Sequence, residues 1–218
     1  MERAVVFDLG GTLMEFTGMP LSWVGYYPDG FRNVGRKFGL WLTDAQIAQA
    51  VKIMSAYNPR VRYRENEIAP ETIFRAAVEP WNVQIPVDAV ISAFFEGIDL
   101  HARIYDYSFS LIESFRRAGF MIACLTDLPC GMPDSYFKDK IRPLLERISL
   151  YVSSQSCGYR KPNPCGLIQI AEHFHIGMDR LLFIGDEEKD KRTAERAGCS
   201  FLDIKELPEN GFSISKII

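Results

Sequence analysis

The 218-residue chain predicts an α/β fold: a doubly wound, Rossmann-like parallel sheet with an inserted helical cap domain. Three observations carry that expectation. Short apolar runs alternate with amphipathic helical stretches, the rhythm of βαβ units. One long helical stretch interrupts the rhythm after the first strand. Chemistry-bearing residues recur where strands end, the edge at which open α/β sheets bind ligands.

Residues 3–7 read as a strand buried on both faces, because the run is short, valine-rich and closed by a polar turn. Asp8-Leu9-Gly10-Gly11-Thr12-Leu13 follows, a carboxylate at the strand exit and two glycines that allow a tight bend. Residues 14–28 read as an aromatic exit loop or hairpin. From Asp29 to about Tyr105 the pattern is helical. Asp29 caps a helix running to Gly39. Thr43-Asp44 opens a second, with Ile47, Val51 and Met54 at helical spacing. Pro70-Glu71 opens a third, and Pro86-Val87-Asp88 a fourth that continues through Phe94 and Phe95.

The strand–helix rhythm resumes near Asp106. A helix over 110–118 stops at Gly119, and a strand over 120–125 ends at Thr126-Asp127. A helix over 133–147, a strand over 150–152 and a loop holding Lys161 come next. A helix over 165–175 precedes a strand over 181–184, which ends at Gly185-Asp186. A helix over 187–197 and a fifth strand over 199–204 close the pattern. Residues 1–15 and 106–218 are thus the expected core domain, and 16–105 the cap, large enough for a small core of its own.

Composition sets bounds on function. An apolar fraction of 47% and a charged fraction of 24% suit a folded soluble protein. A net charge of -3, from 25 basic and 28 acidic residues, argues against nucleic acid as a partner. No apolar run approaches the roughly 20 residues that span a bilayer, so no membrane partner is expected. Met1 leads directly into the first strand without a signal-peptide pattern. The 5 cysteines are irregularly spaced, which fits a reducing cytoplasm. A monomer or homodimer is expected.

Four strand exits carry Asp8, Thr126, Lys161 and the pair Asp186/Asp190. A carboxylate can attack phosphorus and carry it covalently. Grouped carboxylates bind Mg²⁺, a cation that takes oxygen ligands. The metal and a lysine neutralise phosphoryl oxygens, and a threonine hydroxyl with backbone N–H groups holds the remaining one.

With these motifs in order, the chain resembles the haloacid dehalogenase superfamily, dominated by Mg²⁺-dependent phosphatases. Asp8-Leu9-Gly10-Gly11-Thr12-Leu13 looks like its first motif and Thr126 like its second. Lys161-Pro162-Asn163-Pro164 looks like the third, and Gly185-Asp186 through Asp190 like the fourth. The insertion after the first motif resembles a C1 cap. The resemblance implies that Asp8 is the nucleophile and a metal ligand, that the Gly10 carbonyl and Asp186 bind Mg²⁺, and that Asp190 binds it directly or through water. It implies substrate contacts from Gly11, Thr12, Thr126, Asp127 and Lys161, and a small phosphorylated metabolite as the substrate.

Two departures stand out. Gly10 occupies the position where phosphatases of the family carry a second aspartate, the general acid and base, whose help is typically worth 10²–10⁴-fold. Three readings follow: a phosphatase with a substituted acid, a phosphate-binding member with weak or no turnover, or a phosphonoacetaldehyde-hydrolase-like enzyme using a cap lysine, Lys52 or Lys37, as a Schiff base. Asp127 stands where the family often has asparagine, an added negative charge that must point away or pair. Other candidates read as structural. Glu187 and Glu188 suit a helix first turn. Arg60, Arg62 and Arg64 would face one way if extended and could grip an anion, though charge runs usually solvate a surface. His173 and His175 fall on different helix faces, and Cys130, Cys157 and Cys165 read as inert thiols near the site edge.

Overall fold

The computed structural model describes residues 2–207. Residue 1 and the last part of the expected core segment, 208–218, lie outside the described residues. In chain order the elements begin with β1 (Arg3–Phe7) and β2 (Met14–Phe16). Four helices follow: α1 (Tyr27–Lys37), α2 (Asp44–Ala56), α3 (Pro70–Val78) and α4 (Val87–Ile98). Then come β3 (Ala102–Ile104), α5 (Ser108–Arg117), β4 (Phe120–Thr126), α6 (Asp134–Lys140) and α7 (Arg142–Leu145). The chain continues through β5 (Leu150–Ser153), α8 (Ser154–Cys157), α9 (Cys165–His173), β6 (Leu181–Gly185), α10 (Glu188–Ala197) and β7 (Ser200–Asp203).

Five parallel strands form one sheet in the order β5-β4-β1-β6-β7. The chain builds outward from β1 to β5, then returns to place β6 on the other side of β1. The connection reverses direction at β1, and the carboxyl ends of β1 and β6 flank the crevice where such sheets bind ligands. β1 is covered on both faces, as the sequence predicts. Val5 and Phe7 face one layer with Leu111, Ile112 and Phe115 of α5. Val6 faces the other with Leu167 and Ile170 of α9 and Ala194 of α10. The period of two between these residues is the pleat of a strand.

The helices α1–α4 form the predicted insertion, built around Phe31, Phe74 and Phe94, with Phe94 4.9 Å from each of the other two rings. α2 begins where Thr43 predicts: its hydroxyl accepts from the Gln46 N–H, and the Gln46 side chain accepts from the Thr43 N–H. Three expectations are corrected. The first helix starts at Tyr27 with Pro28 in its first turn, so Asp29 lies inside the turn and does not cap it. The stretch 133–147 is two helices, because Pro143 lacks the N–H that would continue α6. The stretch 29–105 is not helical throughout: β3 pairs antiparallel with β2, Met14 opposite Ile104, and closes the base of the insertion. A strand of three residues is too short to display alternation.

Ring contacts and a backbone crossing hold the insertion against the core. Phe16 meets Phe137 at 6.1 Å and Phe95 meets Tyr136 at 5.2 Å, so the loop and helix after β4 pack under the insertion. Residues 65–67 run antiparallel to 158–160, with Glu67 N–H donating to the Gly158 carbonyl at 2.9 Å and Arg160 N–H to the Glu65 carbonyl at 2.6 Å. No helix among the described residues is long and apolar enough to cross a membrane.

Candidate active site

β1 lies between β4 and β6, so residues at the ends of these three strands face one another. The Asp8 N–H continues the ladder to the Ile184 carbonyl at 2.8 Å. Thr126 ends β4, and Asp186 follows Gly185 at the end of β6. Lys161 arrives from the loop after α8. Asp8, Gly10, Gly11, Thr126, Asp127, Lys161 and Asp186 all line one cleft of about 670 Å³ between sheet edge and insertion.

Lys161 is the hub. Its Nζ lies 2.7 Å from Asp8 Oδ1 and 2.5 Å from Asp190 Oδ1, and all three side chains are buried. Burial works against the ammonium, but Asp190, Asp8 and Asp127 outweigh it and hold Lys161 above its ordinary value. Asp190 is placed by the start of α10: its Oδ2 accepts from the Asp186 N–H at 3.2 Å and the Glu187 N–H at 3.0 Å. Burial pushes the Asp8 carboxyl up to about 7, aided by Asp190 and opposed by Lys161. Burial also raises Asp186, with Asp190 and Glu187 adding to it.

Asp8, Asp186 and Asp190 each bring a carboxylate oxygen within 4.8 Å of the others. Three carboxylates face one buried ammonium. The surplus negative charge and the convergence of hard oxygen donors fit a divalent cation such as Mg²⁺. Gly11 makes the close approach possible. Its φ of +84° suits glycine, and a Cβ there would lie 2.4 Å from Asp186 Oδ2.

Several candidate residues are placed differently from expectation. Thr12 does not line the cleft; it is buried and its hydroxyl donates to Asp186 Oδ1 at 3.2 Å, so it orients a carboxylate. Asp127 pairs. Its Oδ1 accepts from the Lys161 N–H at 3.0 Å, and its Oδ2 faces Lys189 at 3.4 Å and Arg160 at 3.9 Å. Burial opposes its charge, but Arg160, Lys189 and Lys161 prevail and hold it at about 2. The arginines do not share a face, because Asn58 closes a turn on Arg60 and Arg62. Arg60 reaches across the cleft to Glu187 at 2.7 Å, Arg64 turns inward to Glu67 at 3.1 Å, and Arg62 is exposed away from the cleft. Lys37 pairs with Glu96 at 2.6 Å and Lys52 is exposed on α2; neither lines the cleft, so neither of these two cap lysines is placed for a Schiff base there.

Glu187 is the N-cap residue of α10 rather than part of its first turn, and its N–H donates to Asp190 Oδ2; Glu188 lies in that turn and pairs with Arg192 at 3.2 Å. His173 ends α9 while His175 lies beyond it, so they share no site. All five cysteines are free. Burial raises the Cys130 thiol to about 11 and raises Cys157, which fits inert thiols.

The sequence reading did not single out Lys189 or Glu67. Lys189 left a signal, since a cation in a helix first turn opposes the dipole and calls for a local reason. Glu67 left none. It is buried, pairs with Arg160 and accepts from Ser154 Oγ at 2.5 Å, and Arg160 donates to the Leu128 carbonyl at 2.9 Å. These bonds tie the insertion to the loops carrying Thr126 and Lys161.

A phosphoglycolate phosphatase of Shigella boydii serotype 4 is 31% identical over 213 residues, covering 90% of this chain and 79% of its own. One of Thiobacillus denitrificans is 30% identical over 104 residues, 48% of this chain; the match spans 45% of that protein, under half its length. The crystal structure of a haloacid dehalogenase family enzyme from Bacteroides thetaiotaomicron, in complex with magnesium and inorganic phosphate, shares the fold with a TM-score of 0.58 at 17% identity, covering 100% of both chains. The family model for haloacid dehalogenase-like hydrolases matches residues 2–198, and the chain belongs to that family.

Proposed function

We propose that the chain is a Mg²⁺-dependent phosphomonoester hydrolase that acts on a small phosphorylated metabolite through an aspartyl-phosphate on Asp8. The observation that carries this reading is the meeting of Asp8, Thr126, Lys161 and Asp186 in one cleft, with the buried Asp190 beside Asp8, Asp186 and Lys161. The phosphoglycolate phosphatase relatives and the magnesium- and phosphate-bound structure support it.

Asp8 and Asp186, with the Gly10 carbonyl, would hold Mg²⁺, and Asp190 would hold it directly or through water. The ion would supply charge neutralisation at the phosphoryl oxygens. Lys161 holds Asp8 in place and offers its ammonium to the same oxygens. The Thr126 hydroxyl completes their cradle. Asp127 serves indirectly: with its charge matched by Arg160 and Lys189, it fixes the backbone of Lys161. The helices between β2 and β3 act as the cap, and Arg60 closes on Glu187 over the cleft. Free cysteines fit a cytoplasmic setting.

Gly10 favours a second reading, phosphate binding without appreciable turnover. Hydrolysis of 4-nitrophenyl phosphate with Mg²⁺, beside the Asp8→Asn variant, separates the two. Activity that the substitution abolishes is expected; equal background rates in both proteins would leave binding alone.

A further inference from the structure

The proposed reaction lacks a proton donor at one step. When an Asp8 oxygen bonds to phosphorus, the bond from phosphorus to the leaving oxygen breaks and its electron pair moves to that oxygen. An alkoxide needs a proton at that moment. Gly10 has none to give, and a Cβ built there meets nothing within 4 Å, so no side chain packs against that position. Among the described residues, Asp186 belongs to the carboxylate cluster, the Tyr63 and Tyr105 hydroxyls donate to Glu65 at 2.5 Å and to Glu15 at 3.3 Å, and the other carboxyls around the cleft are engaged with cations. Glu15 pairs with Arg103 at 3.0 Å, Glu187 with Arg60 at 2.7 Å and Asp127 with Lys189 at 3.4 Å. An ion-paired carboxylate is an acceptor only. The two lysines lining the cleft, Lys161 and Lys189, each stand between two carboxylates that would lose their counter-charge with the proton.

An independent feature is the aromatic part of the lining: Phe16 and Trp23, half-buried, and Tyr27 and Phe137, buried, with Met19 and the exposed Leu21. Trp23 meets Phe16 edge-on at 5.2 Å. Ring faces suit a flat apolar body better than a short carboxylate.

We propose that the substrate is an aryl phosphate, the ester of a phenolic hydroxyl, its ring against Phe16 and Trp23 and its phosphoryl group at Asp8. This rests on the phosphatase reading of the same site. Phenols lose their proton near pH 10, as tyrosine does, against about 16 for water, so a phenolate departs without an acid. It takes its proton from solvent. Water then bonds through oxygen to phosphorus, the Asp8–phosphorus bond breaks, the water's proton passes to solvent, and Asp8 returns as carboxylate. The sum is aryl phosphate and water giving phenol and inorganic phosphate.

The test is kcat/KM with Mg²⁺ for 4-nitrophenyl phosphate, phenyl phosphate and 2-phosphoglycolate. Wild type is expected to favour phenyl phosphate over 2-phosphoglycolate by at least about 10²-fold. Gly10→Asp should raise 2-phosphoglycolate turnover by about 10²–10⁴-fold and narrow the gap, and Trp23→Ala should raise KM for phenyl phosphate about tenfold. Asp8-dependent turnover of 2-phosphoglycolate as fast as that of phenyl phosphate would overturn the aryl assignment and leave the phosphatase reading standing. Rates equal in wild type and Asp8→Asn on every ester would remove both.

Discussion

Asp127 shows how a residue out of place by family pattern becomes useful through its neighbours. Its carboxyl sits at about 2, below the ordinary 3.8, because Arg160, Lys189 and Lys161 outweigh the cost of burial. The folded state therefore favours the ionised form. That stabilisation, about 2 kcal/mol, is complete above pH 4 and is lost as pH falls toward 2. Asp127→Asn should lose that amount at neutral pH and flatten the stability curve between pH 4 and 2, measured by urea unfolding; parallel curves for the two proteins would refute it. Gly11 gives a second prediction. Gly11→Ala forces a Cβ into the Asp186 carboxylate at a φ of +84°, so it should cost about 1–2 kcal/mol and weaken Mg²⁺ binding, read by thermal denaturation and by calorimetric titration. The meeting of Asp8 and Asp186 was legible in the sequence because both follow strand ends in one parallel sheet, whereas Lys161, in the loop after α8, and Asp190, inside α10, were reached through the motif resemblance. Thr12 was misread because a hydroxyl beside a nucleophile looks the same whether it faces the cleft or a carboxylate behind it.

At the scale of elements, legibility tracked the strength of local signals. Thr43 and Gln46 announced α2 because capping is local, whereas β3 escaped notice because its pairing partner, β2, lies about ninety residues earlier. The clamp between segments 65–67 and 158–160 was invisible for the same reason: Glu67 and Arg160 are 93 apart in sequence. Once seen, the clamp explains how a loop without regular structure presents Lys161 in one place. Two backbone hydrogen bonds fix the strand-like crossing, and the buried Glu67–Arg160 pair locks the loop against the Leu128 carbonyl. Removing one partner of a buried pair leaves the other uncompensated, at a cost of about 3–5 kcal/mol. Glu67→Gln should lower the denaturation midpoint accordingly and reduce kcat more than it raises KM, since what it loosens is the loop behind the ammonium. A loss under about 1 kcal/mol with unchanged kinetics would show the clamp to be incidental.

For the molecule as a whole, the question is whether insertion and sheet are two bodies or one. The hydrophobic contacts favour one. A single apolar cluster runs from Val5 and Phe7 in β1, through Phe137 and Cys130 after β4, to Met54 and Phe74 in the insertion. A Cβ at Gly131 would lie 2.8 Å from the Phe74 ring, so the loop after β4 passes directly beneath the insertion. Neither half can lose its packing without exposing apolar surface of the other, and exposed surface of that kind carries the dominant penalty in unfolding. Wild type should therefore unfold in one calorimetric transition, with calorimetric and van't Hoff enthalpies equal. Phe137→Ala removes the ring at the junction, which is 3% exposed, and should cost about 3–5 kcal/mol. If the junction alone couples the halves, that variant unfolds in two steps. Two transitions already present in wild type would show instead that the insertion folds by itself, and that its contacts with the floor of the cleft are too weak to make the site and the fold a single cooperative unit.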